Sequence, residues 1–232
     1  MGLFHFSKKQ PVASLFRGFT DWHCHILPGV DDGFASMEES LRVLSLYEEA
    51  GVSSVWCTPH IMEDIPNTIR GLRQRFSELT EAYEGSVELH LAAENMLDHL
   101  FEERLESGDL LSLGDGRILV ETSYYNAPIG FNDVFRRIRQ AGYDPVLAHP
   151  ERYRYMGESD YRSLFGDGIR FQLNLPSLTG YYGNLARSKA AWMLEKEMYS
   201  LVGTDLHQCA GFERLMTERL PDKLLDRLRR LL

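Results

Sequence analysis

The sequence has 232 residues, of which 44% are hydrophobic, so it is long enough to bury a core in one large domain or two small ones. Its formal net charge is −9 and its Lys and Arg residues are scattered along the sequence, so no basic surface for binding nucleic acid is predicted. No apolar run approaches the roughly 18 residues that a membrane span requires. An anionic substrate would therefore have to be attracted by local cationic groups.

The cysteines and the N-terminus indicate where the protein works. Cys24, Cys57 and Cys209 form no CxxC pair, so neither a disulfide framework nor a zinc ribbon is predicted, and a cytoplasmic location is favoured. The first residues lack the order of a signal peptide, because the basic pair at 8–9 follows a short apolar run. No low-complexity linker interrupts the chain. We therefore predict an exposed N-terminal arm over residues 1–18 and a single domain over residues 19–232.

From residue 19 onward, short β-rich runs alternate with amphipathic helical runs, the pattern of parallel strands joined by helical crossovers. The predicted strands are 19–26, 52–60, 87–95, 117–123, 144–151, 169–176 and 200–207. The predicted helices are 36–51, 68–85, 131–142, 184–198 and 222–232. The first helix has a capping box, Ser36 with Glu39, and Gly51 as its stop signal. The pattern predicts an α/β fold built on a parallel sheet or barrel.

Each predicted strand ends in a side chain that binds metals in other proteins. In chain order these residues are His23 and His25, His60, Glu94, Glu121, His149, Asn174, and Asp205 with His207. From His23 to Asp205 the chain advances 182 residues in six steps, about 30 residues each, which is the length of one βα unit. In a barrel the C-terminal ends of parallel strands converge on one mouth. We therefore expect these side chains to face one another.

The ligand types indicate a site with more than one metal ion. Residues two apart on a strand project to the same side, so His23 and His25 act as a pair, and Asp205 with His207 repeats the arrangement. Together with the Asp31–Asp32 pair they supply more donors than one ion uses, and Glu94 or Glu121 is the natural bridge. Imidazole and carboxylate without thiolate suit Mn²⁺, Fe²⁺, Zn²⁺ or Co²⁺. Such ions activate water and neutralise phosphoryl oxygens, so phosphate-ester hydrolysis is the leading chemistry.

Each residue also has an ordinary structural interpretation. A single strand-end histidine is more often a hydrogen-bonded structural residue than a ligand, and it is the recurrence at successive strand ends that favours ligation. His5, His90 and His99 do not share this position, and we predict that they are not ligands. Asn174 is interpreted as a cap of the following turn.

Two segments near the predicted mouth suit substrate binding. Arg152, three residues after His149, is positioned to bind two phosphate oxygens as a fork, although a surface ion pair is the alternative. The segment 177–183, with Tyr181 and Tyr182 between glycines, reads as a loop that either lines a substrate groove or packs on the rim.

The motifs resemble those of the PHP (polymerase and histidinol phosphatase) superfamily, and more closely its branch of metal-dependent bacterial protein-tyrosine phosphatases from capsule and exopolysaccharide loci. They are, in order, DWHCHILPGVDDG, CTPH, AAEN, ILVET, PVLAHPERY, QLNLPSLTGYYG and VGTDLH, between about residues 20 and 210. The resemblance implies a distorted (β/α)7 barrel with three divalent ions, commonly manganese. It also implies a substrate, the phosphotyrosine tail of an autophosphorylating bacterial tyrosine kinase.

The resemblance assigns roles to individual residues. It places the metal ligands on His23, His25, one aspartate of the DD pair, His60, Glu94, Glu121, His149, Asp205 and His207. The sequence leaves open which aspartate of the pair binds the metal and which protonates the leaving phenolate; as a working choice we assign Asp31 to the metal and Asp32 to protonation. The phosphate-binding arginine falls on Arg152. Many relatives carry a second arginine where this chain has Phe212, and we assign Arg214 as its replacement.

Four other functions compete with this interpretation. A cysteine-dependent phosphatase requires an Arg six residues after its Cys, and none of the three cysteines has one. An amidohydrolase site often uses a strand-end Lys, whereas the five lysines here lie in the arm or in helices. A small-molecule phosphoesterase of the histidinol-phosphate phosphatase type remains the closest alternative. A barrel acting only as a binding module would be expected to lack some ligands, and none is missing.

Overall fold

The computed structural model describes residues 8–232. The strands are β1 Lys9–Pro11, β2 Thr20–Cys24, β3 Ser54–Cys57, β4 His60–Ile61, β5 Glu88–Leu91, β6 Glu94–Met96, β7 Arg117–Glu121, β8 Asp144–Ala148, β9 Arg170–Asn174, β10 Tyr199–Gly203 and β11 Arg219–Pro221. The helices are α1 Met37–Ala50, α2 Ile69–Ala82, α3 His99–Ser107, α4 Phe131–Gln140, α5 Glu158–Gly166, α6 Leu175–Thr179, α7 Gly183–Glu195, α8 Cys209–Thr217 and α9 Asp222–Leu231. Short 3-10 helices span Val12–Leu15 and Pro150–Arg152.

The strands form two parallel sheets and one small antiparallel ribbon. The larger sheet has the order β10-β9-β8-β7-β6-β4, and the smaller has the order β2-β3-β5. The parallel α/β architecture predicted from the sequence is thus confirmed. A closed barrel sheet is not formed within residues 8–232, although a single parallel bridge between Cys24 and Leu206 links the end of β2 to the segment after β10.

Two of the seven predicted strands are interrupted, and the interruption divides the sheet. The predicted strand 52–60 is split into β3 and β4 around Thr58 and Pro59, and the strand 87–95 into β5 and β6 around Ala92 and Ala93. Proline has no N–H to donate to a ladder, which accounts for the first break. The first halves pair in one sheet and the second halves in the other. His60 and Glu94 therefore lie directly opposite each other, in register, at the mouth.

The helices cover the sheets. Those with a strong amphipathic pattern in the sequence lie where that pattern predicts them. The Ser36 side chain accepts a hydrogen bond from the Glu39 amide at 3.2 Å, and Gly51 ends α1 in the left-handed conformation. All five predicted helices are confirmed. The other four helices, α3, α5, α6 and α8, were not predicted. They are all short, with five to nine residues each.

The prediction of an exposed arm over residues 1–18 is wrong for residues 12–16. Val12, Leu15 and Phe16 are buried, and β1 pairs antiparallel with β11. The Phe16 ring packs edge-on against Phe19 and Phe212, with centroids 5.3 and 5.1 Å apart. The C-terminal helix α9 packs on the same region through Leu225 and Leu228, both buried. Residues 1–7 lie outside the described residues. Val12, Leu15 and Phe16 are thus part of the core.

Replacing Phe16 by alanine is expected to lower the free energy of unfolding by about 3–5 kcal/mol, because it removes a fully buried ring from a packed aromatic cluster. The matched control is Phe165→Ala on α5, a ring that is 44% exposed, which should cost about 1 kcal/mol or less. Denaturant unfolding measures both. Equal small losses for the two variants would contradict the packing described for residues 12–16.

No helix in the described part of the chain is both long enough and apolar enough to cross a membrane.

Candidate metal centre

The predicted ligands converge at the C-terminal ends of the parallel strands. Their positions are His23 on β2, His25 just beyond it, His60 on β4, Glu94 on β6, Glu121 on β7, His149 after β8, and Asp205 with His207 after β10. All except His207 are buried. Strand ends from both sheets thus supply one polar cluster inside the protein.

Within this cluster, three groups of side chains have ligand atoms close enough to hold a metal ion. In each group the ligand atoms all lie within 4.8 Å of one another. The groups are His25, Asp32, His60 and His207; His23, His25, Glu94 and Asp205; and His60, Glu94 and Glu121. Three residues, His25, His60 and Glu94, each belong to two groups. The three candidate metal positions are therefore next to one another.

Hydrogen bonds to carboxylate and amide oxygens orient the two histidines of β2. The Nδ1 of His23 lies 2.9 Å from Gln172 Oε1, and the Nδ1 of His25 lies 2.8 Å from Asp31 Oδ2. Since these oxygens only accept, each Nδ1 carries the proton. Both Nε2 atoms then face Glu94 Oε2, at 3.1 and 3.3 Å, and each offers a lone pair to a metal ion once its own proton is lost. A hydrogen bond to the ring nitrogen that does not bind the metal is the usual way in which proteins orient a metal-binding imidazole.

The structure separates the roles of the two adjacent aspartates, and it differs from the assignment made from the sequence. Asp31 Oδ2 accepts hydrogen bonds from His25 Nδ1 and the His60 amide, and Oδ1 accepts one from the Gly33 amide. Its side chain is fully buried and belongs to none of the three groups. Asp32 Oδ1 instead lies 3.5 Å from His60 Nε2 and 3.4 Å from His207 Nε2. The geometry places Asp32, not Asp31, among the ligand atoms.

Glu94 is the centre of the cluster. Its Oε2 lies 3.1–3.3 Å from nitrogens of His23, His25 and His60, and its Oε1 lies 2.9 Å from His149 Nε2. Within residues 8–232, Glu94 Oε2, His60 Nδ1 and His149 Nδ1 are buried without a hydrogen-bond partner. Buried polar atoms are normally paired, so converging lone pairs without donors fit a bound cation. The nitrogen and oxygen donor set fits the divalent ions expected from the sequence.

Backbone strain occurs at two of these positions. His149 and Asp205 have φ angles of 30° and 52°, in the left-handed region that residues with a Cβ rarely adopt. Left-handed residues other than glycine are concentrated at functional sites, where the surrounding structure enforces them. The Asp205 amide donates to the His23 carbonyl at 2.7 Å, which holds one of the two strained residues against β2.

The close charges shift the pKa values in the cluster. Burial opposes the charged form of His23, but Glu94 and Asp205 outweigh it and raise its pKa to about 9. Burial would likewise raise the pKa of Asp205, but His23, His25 and Arg152 hold it well below its ordinary value. The contact with His207 lowers the pKa of Asp32 to about 2. An ionised carboxylate at this position suits a metal ligand.

Arg152 is held at the edge of the cluster by two aromatic rings. Its guanidinium lies 4.4 Å from the Tyr124 ring centroid and 4.1 Å from that of Tyr182, and it donates to Asp205 Oδ2. Stacking on both faces leaves the planar fork free to contact an oxyanion edge-on. The alternative of an ordinary surface ion pair does not fit, because the side chain is only 16% exposed.

Arg214 lies beside Tyr181, whose ring packs on that of Tyr182. Its guanidinium lies 4.9 Å from the Tyr181 ring centroid and its Nε lies 3.6 Å from Glu218 Oε1. Phe212, at the position of the second arginine in many relatives, is buried in the core against Phe16 and Tyr47. The side chain at 212 therefore points away from the cluster, and Arg214 is the arginine of α8 that lines the cavity.

A cavity of about 430 Å³ opens directly over the cluster. Its walls include Asp32, His60, Glu94, Arg152, Asp205, His207 and Arg214. Thr179, Tyr181 and Tyr182 also line the cavity, so the segment 177–183 lines a groove, one of the two possibilities raised by the sequence, although residues 177–179 belong to α6 and not to a loop. The cavity is large enough for a phosphorylated side chain.

Several functional contacts were not predicted from the sequence. Gln172 Oε1 accepts from His23 Nδ1 and from the His149 amide, and so supports two ligands. Asp21 accepts from the Thr204 amide and hydroxyl and joins the ends of β2 and β10. The sequence indicates these two residues only as polar residues inside predicted strands. The capping role predicted for Asn174 is wrong: its side chain makes no cap bond, and it donates to Asp205 Oδ2 at 2.8 Å.

Comparison with known proteins agrees with this geometry. Residues 19–219 match the family model described as capsular polysaccharide synthesis, CpsB/CapC. The chain is 28% identical over 194 residues to the tyrosine-protein phosphatase YwqE of Bacillus subtilis, covering 81% of this chain and 76% of YwqE. It is 28% identical over 199 residues to the tyrosine-protein phosphatase CpsB of Streptococcus pneumoniae, covering 81% and 82%.

A solved structure has the same fold. It comes from work on YwqE of Bacillus subtilis and CpsB of Streptococcus pneumoniae, which are described there as unique metal-dependent tyrosine phosphatases. The superposition has a TM-score of 0.79 at 25% identity and covers 91% of this chain and 87% of the other.

Proposed function

The chain belongs to the capsular polysaccharide synthesis family CpsB/CapC, and on this premise we propose that it is a metal-dependent protein-tyrosine phosphatase. One observation supports this most strongly. Three adjoining groups of His, Asp and Glu side chains, two of which share Glu94, lie beneath the cavity where Arg152 stacks on two tyrosine rings. A polynuclear centre beside a fixed guanidinium suits a phosphate monoester.

The proposed ligands are His23, His25, Asp32, His60, Glu94, Glu121, His149, Asp205 and His207. The donor groups support three divalent ions, and manganese is our first choice among Mn²⁺, Fe²⁺, Zn²⁺ and Co²⁺. When bound, such ions lower the pKa of water to give a nucleophile and offset the charge of phosphoryl oxygens.

The rest of the reaction depends on the chain's own residues. Arg152 binds two oxygens of the phosphoryl group, and its orientation is set by Tyr124 and Tyr182. Gln172 and Asp31 hold the imidazoles of His23 and His25 in the tautomer that leaves Nε2 free. Arg214 lines the cavity beside Tyr181, where we expect it to contact the peptide that carries the phosphotyrosine.

We propose further that the two sheets are parts of a distorted (β/α)7 barrel that forms a single domain. In this barrel, β3 and β4 together count as one interrupted strand, and so do β5 and β6. The barrel then has seven strands from β2 to β10. Two backbone hydrogen bonds, from the His25 amide to the Leu206 carbonyl and from the Asp205 amide to the His23 carbonyl, support closure between the first and last barrel strands.

The substrate that we propose is the phosphotyrosine tail of a bacterial tyrosine kinase that controls capsular or exopolysaccharide synthesis. The capsule-related family and the names of the relatives support it. We place the reaction in the cytoplasm, a location that the three free cysteines support. The alternative substrate is a small phosphate ester such as histidinol phosphate.

Parallel assays of phosphate release from a tyrosine-phosphorylated peptide and from histidinol phosphate separate these possibilities. The proposal predicts turnover of the peptide with a kcat/KM at least about tenfold above that of the small ester, because the cavity is open and bordered by exposed aromatic side chains. Turnover of histidinol phosphate alone would assign the protein to small-molecule metabolism.

Asp32→Asn and Asp31→Asn are expected to differ in their effect on metal content. Asp32→Asn removes a charged ligand atom and should lose about one metal ion per chain, as measured by elemental analysis. Asp31→Asn still accepts the hydrogen bond from His25 and should retain all of the ions, with activity lower by about 10- to 100-fold because the imidazole is held less firmly. The reverse result, with a metal lost only in the Asp31 variant, would restore the assignment made from the sequence.

Metal loading of stripped protein is expected to release protons near neutral pH. The pKa of His23 is raised to about 9 by its carboxylate neighbours, so the imidazole is protonated at neutral pH and must lose its proton to bind a metal. Apparent metal affinity should therefore rise with pH up to that pKa. Calorimetric titrations in buffers of different ionisation enthalpy give the number of protons released. A binding enthalpy that is independent of the buffer would show that His23 does not become a ligand.

A further inference from the structure

A second groove adjoins the cavity over the metal centre. It encloses about 430 Å³, and its shared wall with the first cavity consists of Tyr124, Arg152 and Tyr182. Beyond that wall it is lined by Tyr125, Glu151, Arg154, Leu185 and neighbouring residues. Glu151 is buried and its carboxylate accepts hydrogen bonds from the Asn174 amide and the Tyr199 hydroxyl, which leaves Arg154 as the exposed charge. A peptide whose phosphate contacts Arg152 therefore has a continuous path into this second groove.

Arg154 is the cation of this groove. Its guanidinium lies 5.0 Å from the Tyr125 ring centroid, and its amide donates to the Tyr124 carbonyl at 2.8 Å. Within residues 8–232 its side chain makes neither an ion pair nor a hydrogen bond. Arg152 and Arg214, in contrast, contact Asp205 and Glu218. In a chain of net charge −9, an arginine without a counter-ion beside the active site is a local attraction for an anion.

The side chains beside Arg154 suit a peptide. Tyr125 is 62% exposed and Leu185 is 56% exposed, and they come from different segments, the loop after β7 and the start of α7. Exposed large apolar side chains grouped around a cation are typical of a surface that covers a partner. Arg152 and Arg154 are two residues apart, so an extended peptide spans the distance within about three residues.

We propose that this groove binds an acidic side chain of the substrate peptide, within about three residues of the phosphotyrosine, through Arg154. The inference rests on the proposed function and adds a determinant of sequence preference to it. Charge complementarity selects a carboxylate, and the apolar walls accommodate the stem of the side chain and its neighbours. Arg154 does not contact the phosphoryl group, so it affects the choice of peptide and leaves the chemical step unchanged.

The test is a set of phosphotyrosine peptides with a neutral background and a single Asp at each position from −3 to +3, each matched by the Asn peptide. Wild-type protein loaded with Mn²⁺ is expected to prefer Asp over Asn at one or two positions, with kcat/KM higher by about three- to fivefold, as an exposed ion pair allows. Arg154→Gln should abolish that preference while leaving turnover of p-nitrophenyl phosphate unchanged. Arg230→Gln on α9, which lies near the start of β10, is the control of equal charge.

The outcomes distinguish this inference from the proposed function. Peptide turnover without any preference for Asp, or a preference that survives Arg154→Gln, would overturn the inference and leave the phosphatase intact. A preference only for a second phosphotyrosine would also overturn it, because the occupant would then be a phosphate. Absence of metal-dependent turnover of every peptide would overturn the proposed function, and this inference with it.

Discussion

Replacing Glu94 by glutamine is expected to lower phosphotyrosine hydrolysis by a factor of about 10³ or more and to remove at least one metal ion per chain. Glutamine has nearly the same size and shape but lacks the negative charge. Glu94 Oε2 lies within 3.3 Å of nitrogens from three histidines, and the residue belongs to two of the three ligand groups. The loss should therefore appear in both metal content and kcat.

Two further variants make this prediction specific. Glu121→Gln removes the charge of a residue that belongs to one group only, and it should cost less than Glu94→Gln. Glu88→Gln is the matched control, because Glu88 lies at the start of β5 with a side chain that is 72% exposed. It should leave activity within about twofold of wild type. A folded Glu94→Gln protein with full activity and full metal content would rule out the proposed bridging role.

Replacing Arg152 by lysine is expected to lower kcat/KM by about 10²-fold without loss of metal. Lysine keeps the charge but cannot bind two phosphate oxygens with one planar group, and it stacks less well between Tyr124 and Tyr182. Inhibition by inorganic phosphate should weaken in parallel, because the same contact binds the product. Steady-state kinetics and phosphate inhibition measure the two effects.

The control for Arg152 is another arginine stacked on an aromatic ring. Arg162 on α5 lies 5.3 Å from the Trp192 ring centroid, with a side chain that is 56% exposed, so Arg162→Lys repeats the chemical change away from the cavity. Its kcat/KM should stay within about twofold of wild type. If Arg152→Lys retained wild-type kcat/KM, phosphate binding by Arg152 would be disproved.

The convergence of the strand-end side chains was predictable because it depends on a local rule. In parallel α/β proteins the strand ends meet at one edge, so a polar residue at each strand end, such as His60 or Glu121, is enough to predict a common site. Phosphate binding by Arg152 was predicted from its position three residues after His149, and resemblance to a family supported it. The alternation of strands and helices gave the α/β class by the same local reasoning.

The roles of Asp31 and Asp32 were not predictable because the backbone decides between them. Asp31 is held by the amides of Gly33 and His60, and the latter is 29 residues away in sequence. A Cβ on Gly33 would lie 2.3 Å from the His25 carbonyl oxygen, so the turn can approach the strand only with glycine there. Such contacts follow from tertiary structure and leave only a DDG motif in the sequence.

The remaining discrepancies have the same cause. Residues 9–11 become a strand because they pair with residues 219–221, at the other end of the chain. Gln172 supports His23 from 149 residues away, and Tyr124 reaches Arg152 from a different loop. Local patterns carry no information about which distant segment lies alongside, so the N-terminal segment was interpreted as an arm and these two supporting residues were missed.

Phosphate release from a tyrosine-phosphorylated peptide, measured with metal-stripped protein before and after addition of Mn²⁺, is the most direct test of the central claim. The account predicts no turnover by the stripped protein, recovery on addition of Mn²⁺, and no recovery for Glu94→Gln under the same conditions. Equal turnover with and without metal, or no turnover with any of Mn²⁺, Fe²⁺, Zn²⁺ and Co²⁺, would contradict a metal-dependent phosphatase centred on Glu94.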